Sequence, residues 1–255
     1  MPDLDDLPRW RAVAALAVLV LLLLWETAHP FFVQFSRDGE GWRRRGAHAA
    51  RNLALGVANS LVIALLFASA WAATVHWATQ HRFGLLQLVE WPGWLRAILA
   101  ILVLDAWTYA WHRLNHIAPL LWRFHRLHHA DRTMDVTTAT RFHTVEIVLS
   151  SVLRVPVLAL IGCSLEALAL YEVLMFACVQ FHHANIALSG RVDRVLSWFI
   201  VTPFVHKVHH SVVMTETNSN YGSLLTIWDR LFRTIRRVRD PQAIVFGVDD
   251  QSRPR

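Results

Sequence analysis

Two short runs of this chain, His125-Arg-Leu-His128-His129 and His206-Lys-Val-His209-His210, share the pattern HxxHH. On a helix, positions i, i+3 and i+4 lie on one side, so each run presents three imidazoles to one volume. His112 and His116 stand four apart and share a helical face in the same way. His143 and the neighbouring His182 and His183 fall between the two runs, and eleven of the fifteen histidines lie between His112 and His210. Imidazole suits iron, zinc, copper and nickel. A single zinc site takes about four ligands, so a cluster this large points to two metals. Cys163 and Cys178 sit in apolar stretches with no CxxC spacing, which argues against a thiolate site and against a disulfide framework. A mainly neutral ligand set leaves net positive charge on the metal pair, which suits O2 chemistry.

Other polar residues stand where they can support such ligands. Asp105, Tyr109, His112 and His116 follow one another at helical spacing and form one polar stripe on an apolar segment. An Asp in a membrane-spanning helix is costly without a partner. Its expected work is to orient a ligand histidine or to close a hydrogen-bond network beneath the metals. Glu146, three residues after His143, is placed to hold that ring or to bind metal itself. Asn185, two residues past His183, is expected to support the ligands. Glu216-Thr-Asn-Ser-Asn220-Tyr221-Gly222 reads as a tight polar turn, and Trp228-Asp-Arg-Leu-Phe232 as an amphipathic segment at a membrane surface; a purely structural role fits both. The isolated His29, His48, His76 and His81 read as core or interface residues. Haem ligation needs two axial ligands rather than tight triplets. A metal transporter would distribute its histidines through the spanning helices, whereas most here lie in polar segments beside them.

The elements that must position these residues are apolar helices. Hydrophobic residues make up 55% of the 255, and the mean hydropathy is +0.34. A helix of about 20 residues crosses a bilayer. Residues 12–32, 52–75 and 94–116 are read as spanning helices, and 145–181 as a helical hairpin, spanning or re-entrant, interrupted at Gly162-Cys-Ser164. Residues 34–51 read as a polar, arginine-rich loop. Residues 117–144 and 182–237 then form a helical, histidine-rich metal-binding cap. The expected fold is all-α: a single polytopic domain with about four to five transmembrane or re-entrant helices. The start, Met1 to Leu7, is acidic; Arg9 and Arg11 precede the first apolar run, which is read as a retained segment rather than a cleaved signal. The net charge of +6 is carried almost entirely by arginine, with Lys207 the sole lysine. Arginines beside apolar segments fit the positive-inside tendency and place the cap in the cytoplasm, at the bacterial inner membrane. No zinc-finger spacing or interleaved basic and aromatic pattern points to nucleic acid.

Taken together, these residues closely resemble the fatty acid hydroxylase / sterol desaturase superfamily across roughly residues 95–235. The resemblance rests on Asp105 with His112 and His116, then His125-x-x-His128-His129, Arg141-Phe142-His143 with Glu146, His183-Ala-Asn185, His206-x-x-His209-His210, and the Glu216–Gly222 and Trp228–Phe232 segments. It implies a non-haem di-iron centre, which zinc can occupy in purified protein. The activity it implies is O2-dependent hydroxylation or desaturation of a lipid: a sterol, fatty acyl chain, sphingolipid, ether lipid or carotenoid. The implied metal ligands are His112, His116, His125, His128, His129, His143, His183, His206, His209 and His210, with His182 a neighbour. Asp105, Tyr109, Glu146 and Asn185 are the implied supporting residues. The sequence departs from the family's pattern at Thr144, where Pro is expected, and at Arg233, where Gly is common. No flavin, nicotinamide or iron–sulfur fingerprint is present, so electrons must come from a separate ferredoxin or cytochrome-type donor. The alternatives are a di-zinc membrane hydrolase and a non-catalytic metal-binding protein.

Overall fold

The computed structural model describes residues 7–249, with side chains from residue 12 onward. The acidic start, Met1–Asp6, and the side chains of Arg9 and Arg11 lie outside the described residues. The described residues form helices, short 3-10 turns and connecting loops. In chain order the helices are α1 (Leu7–Ala28), α2 (Gly39–Leu66), α3 (Ala68–Gln80), α4 (Gly93–Ile117), α5 (Pro119–His129), α6 (Thr144–Ile161), α7 (Leu165–His183), α8 (Gly190–Leu196), α9 (Pro203–His209), α10 (Met214–Thr217) and α11 (Ile227–Leu231). Four of them, α2, α4, α6 and α7, are long and apolar enough to cross a membrane, and the apolar stretch Ala12–Ala28 of α1 is shorter.

Local chemistry sets the ends of these helices. The Asp38 side chain accepts from Gly41 N–H at 2.7 Å and starts α2. The arginine-rich segment expected to be a loop is therefore largely helix: Arg43, Arg44, Arg45 and Arg51 ride on α2, and of the expected loop only 34–38 lie in the 29–38 connection to α1. The single helix expected over 52–75 is two, broken at Phe67, whose φ of −123° is not helical. α6 ends at Gly162 with φ +66°, a left-handed cap that glycine adopts without a steric penalty. That turn packs against Gly84, where any Cβ would meet the Ala159 carbonyl oxygen at 2.6 Å. Ser164 then caps α7, accepting from Ala167 N–H at 3.2 Å.

The histidine-bearing ends of the long helices lie together. α4 ends in His112 and His116, α6 begins beside His143 and Glu146, and α7 ends in His182 and His183. α1 joins them there, because its Glu26 reaches the loops that follow α5 and α7. α2 starts there too: His48 and Asn52 bond Asp131, just past α5. The main apolar core fills the opposite part, with Trp71, Leu104, Leu158, Ile161, Leu168 and Tyr171 among its members. Gly56 on α2 lets the 3-10 turn 136–140 approach closely; a Cβ there would stand 2.7 Å from Thr140 Cβ.

Candidate metal centre

Nine histidines meet in two adjoining groups. His112, His116, His125, His129 and His209 bring one nitrogen each into the first group; His128, His183, His206 and His210 form the second. Within each group the ligand atoms all lie within 4.8 Å of one another. α4, α5 and α9 supply the first group, and α5, α7, α9 and its capping residue His210 supply the second. Each HxxHH run serves both groups. His128 turns to the second while His125 and His129 turn to the first, and His209 parts from His206 and His210 in the same way. The rings of His129 and His210 stack at 4.5 Å across the boundary.

The outward nitrogens show what the inward ones are for. Nδ1 of His112 meets the Tyr221 carbonyl at 2.9 Å, that of His209 the Ser219 carbonyl at 2.6 Å, and that of His183 the Val179 carbonyl at 2.7 Å. Nδ1 of His125 meets Glu146 Oε1 at 2.8 Å. A carbonyl or carboxylate only accepts, so the proton of each ring sits on Nδ1 and the Nε2 lone pair faces inward. Those Nε2 atoms are 3.0 Å apart between His112 and His209, and 3.2 Å apart between His125 and His129. In the second group the separations are 3.1 Å for His128–His183, His183–His206 and His206–His210. For His112 and His209, both of whose Nδ1 protons are held by carbonyls, lone pairs this close repel. A cation about 2.0–2.1 Å from each imidazole nitrogen removes the repulsion and requires nitrogens about 3.0–3.4 Å apart. Nε2 of His116 is likewise buried with no hydrogen-bond partner. The donor set therefore fits two metal ions.

The surroundings keep these imidazoles neutral. Burial, reinforced by the neighbouring histidines, holds His128, His129, His206 and His210 well below the ordinary histidine range. Burial lowers His209 to about 3. Lys207, fully buried on α9, donates to the Ala184 carbonyl at 2.7 Å, and burial pushes its ammonium down to about 7. Burial alone would raise Asp131, but its hydrogen bonds to His48 and Thr138 hold it well below the usual carboxylate range.

The remaining residues singled out from the sequence divide into those beside the groups and those away from them. Glu146 orients His125, and the Asn115 amide is 3.5 Å from the same carboxylate oxygen. Asp105 touches no histidine: it accepts from Leu224 N–H, Leu225 N–H and Trp228 Nε1 at 3.3, 3.1 and 2.8 Å. Tyr109 bonds Thr234 at 2.9 Å and stacks on Phe232. Asn185 pairs through its side chain with the backbone of Phe32, at 2.9 Å both ways. His143 caps α6, its Nδ1 accepting from Val145 N–H, and stands outside both groups. His182 is also outside them, its ring 3.9 Å from that of His206. Thr144 uses its hydroxyl to bond Asn59 on α2 at 2.9 Å, and Asn59 in turn donates to the Phe142 carbonyl.

The structure also brings in residues to which sequence reasoning gave no site role. The Glu216–Gly222 segment supplies the acceptors for three of these histidines: the carbonyls of Ser219 and Tyr221, and Asn218 Oδ1, 3.3 Å from His116 Nδ1. The Asp229 carboxylate holds this segment by accepting from Tyr221 N–H and Gly222 N–H, both at 2.8 Å. Glu26 and His48 tie α1 and α2 to the loops after the grouped histidines. An acidic residue on an apolar helix was the visible signal for Glu26; nothing marked His48 out.

The fatty acid hydroxylase family model matches residues 97–234, more than half of the chain and every histidine of both groups. The chain belongs to the fatty acid hydroxylase family. Its relatives include an ornithine lipid hydroxylase from Rhizobium tropici, 28% identical over 94% of this chain and 71% of that protein. The human alkylglycerol monooxygenase is 28% identical over 68% of this chain and 36% of its own length. The rat cholesterol 25-hydroxylase is 28% identical over 54% of this chain and 46% of its own. The chain thus spans most of the bacterial relative and less than half of the animal ones. No solved structure matches. Family and relatives make this an oxidoreductase of the lipid hydroxylase class, built on membrane-capable helices.

Proposed function

We propose that the chain hydroxylates or desaturates a membrane lipid with O2, using one iron in each histidine group. The observation that carries this reading is the convergence of buried imidazole nitrogens in two adjoining sets. Imidazole ligation suits iron. Bound iron would supply the oxidising power to break an unactivated C–H bond: O2, two electrons, two protons and R–H give R–OH and water. His112, His116, His125, His129 and His209 would hold one ion, and His128, His183, His206 and His210 the other. Glu146, Tyr221 and Ser219 fix the rings through Nδ1 and raise their basicity. Burial excludes water from the reacting volume and limits side reactions.

Electrons are supplied by a separate ferredoxin or cytochrome-type partner. The substrate class follows from the relatives, which act on ornithine lipid, alkylglycerol or cholesterol. The metal-bearing end faces the cytoplasm of a bacterial inner membrane. Exposed Arg37, Arg43, Arg44 and Arg51 cluster at that end, as the positive-inside tendency requires. Metal analysis of purified protein together with O2 uptake under a chemical reductant tests the reading. Two irons per chain and reductant-dependent uptake are expected, both lost in His128→Ala. Product formation without O2 would replace it with a hydrolytic one.

A further inference from the structure

Several apolar side chains outside the long helices are exposed together beside the cap. Val192 and Val195 lie one turn apart on α8, and Trp198 and Phe199 after it are 62% and 68% exposed. Ile227 and Leu231 on α11, with Phe232 after it, are exposed as well. These pieces are one surface. Thr226 donates through its side chain to Ser197 O at 2.9 Å and through its N–H to Phe199 O at 3.1 Å. The Arg230 guanidinium lies 3.9 Å over the Trp198 ring and donates to Ser197 O.

The surface is anchored to a spanning helix below the metals. Asp105 receives Leu224, Leu225 and Trp228, and Phe232 stacks on Tyr109 at 5.3 Å. Asp105 precedes His112 by seven residues, about 10 Å along the axis of α4. Exposed Trp, Phe and Leu side chains therefore flank α4 on the bilayer side of the histidine groups. Residues 190–240 carry seven arginines. Arg191, Arg194, Arg233 and Arg236 are exposed, while Asp193 and Asp229 are buried. An open groove of about 670 Å³ beside Trp198 is lined by Phe31, Phe204, Arg194, Arg230 and Arg237.

We propose that α8, Trp198-Phe199 and α11 form a docking platform for an anionic lipid leaflet. The apolar side chains enter the boundary between headgroups and acyl chains, and the arginines hold lipid phosphates. Exposed aromatics interleaved with arginines suit that interface. An acidic redox protein would meet a water-facing surface instead, and this one flanks a spanning helix. Two measurements on the full chain in nanodiscs test the platform. In the first, lipids brominated near the headgroup quench tryptophan fluorescence, and the Trp198→Phe spectrum is subtracted from that of the wild type. The Trp198 component should be quenched by brominated lipid and protected from aqueous iodide; the reverse pattern overturns the proposal. In the second, phosphatidylglycerol retained on the detergent-extracted protein is counted by native mass spectrometry. A surface arginine is worth about 1 kcal/mol on an anionic membrane, or about fivefold in affinity. Arg194→Ala should therefore lose about fivefold of this retention relative to phosphatidylcholine, and Arg194→Lys should restore most of it. Unchanged retention in Arg194→Ala and in the Arg191→Ala/Arg194→Ala double variant overturns the proposal. So does unchanged retention with weakened binding of an acidic ferredoxin, which would mark the face as a donor dock.

Discussion

The carboxylate of Glu26 accepts a 2.9 Å hydrogen bond from the backbone N–H of Asn185, two residues past His183 of the second histidine group. The same oxygen accepts from Val136 N–H at 3.1 Å, in the loop that follows His128 and His129. Arg45 on α2 pairs with the other oxygen at 3.0 Å. One side chain on α1 therefore clasps the backbones that follow two histidine clusters. Glu26→Ala leaves two buried N–H donors unpaired, at about 1–3 kcal/mol each. Thermal stability should fall, and the second metal should be lost before the first. Glu26→Gln keeps an acceptor and should lie between the two. Metal stoichiometry and Tm check this; a fully loaded, equally stable Glu26→Ala would contradict it.

Glu146 holds His125 from outside the first group at 2.8 Å. Removing an outer partner of a ligating histidine typically costs about 10–100-fold in metal affinity or activity. Glu146→Gln is expected to fall in that range while the chain stays folded, because the amide carbonyl can still accept from Nδ1. Chelator competition measures the affinity. A larger loss with complete failure to bind metal would instead make Glu146 a ligand.

Asp229 acts at one further remove. It accepts from Tyr221 and Gly222, whose segment presents carbonyls to His112 and His209. Asp229→Ala should destabilise the chain by about 1–3 kcal/mol and lower metal retention in the first group. His143→Ala, outside both groups, should retain metal. Parallel metal assays on the two variants distinguish an indirect support from a ligand.

Acid should empty the site. The folded chain keeps His128, His129, His206, His209 and His210 deprotonated well below the ordinary value of about 6.5. The unfolded chain binds those protons as pH falls through about 6.5, so the folded state binds fewer protons there. Stability of the metal-free chain then rises with pH between about 3 and 6.5, and is full above that window. Protons also compete with metal for Nε2. With the folded-state imidazoles held this low, that competition acts through unfolding, so metal retention measured from about pH 7.5 down to about 3 should fall together with the folded fraction. Metal release with proton uptake from a still-folded chain between about pH 6.5 and 5 would contradict the neutral-imidazole site.

Arg233 has a φ of +57°, in the left-handed region that disfavours a side chain by about 1–2 kcal/mol. It occupies the position where the family resemblance leads one to expect glycine. The greater freedom of glycine in the unfolded chain offsets about 0.5–1 kcal/mol of that strain. Arg233→Gly should leave stability unchanged or raise it by about 1 kcal/mol, whereas Arg233→Val should lower it. Thermal unfolding of the two variants reads the sign.

Spacing along the chain already contained much of this protein. Helical periodicity put His125, His128 and His129 on one side of a helix, and did the same for His206, His209 and His210, because i, i+3 and i+4 positions converge whatever the helix packs against. Apolar length marked α4, α6 and α7 as membrane-capable, since the bilayer sets that length. Other features required the tertiary structure. Whether His129 joins His209 or His128 joins His183 depends on how α5, α7 and α9 cross, and no local pattern encodes a crossing. The roles of Glu26, His48 and the Ser219 and Tyr221 carbonyls rest on contacts between residues many positions apart, all but that of His48 through backbone atoms that every sequence shares. The separation of His143 from the metal groups has the same origin: its neighbours in sequence favoured a ligand, but the start of α6 turns its ring to cap its own helix.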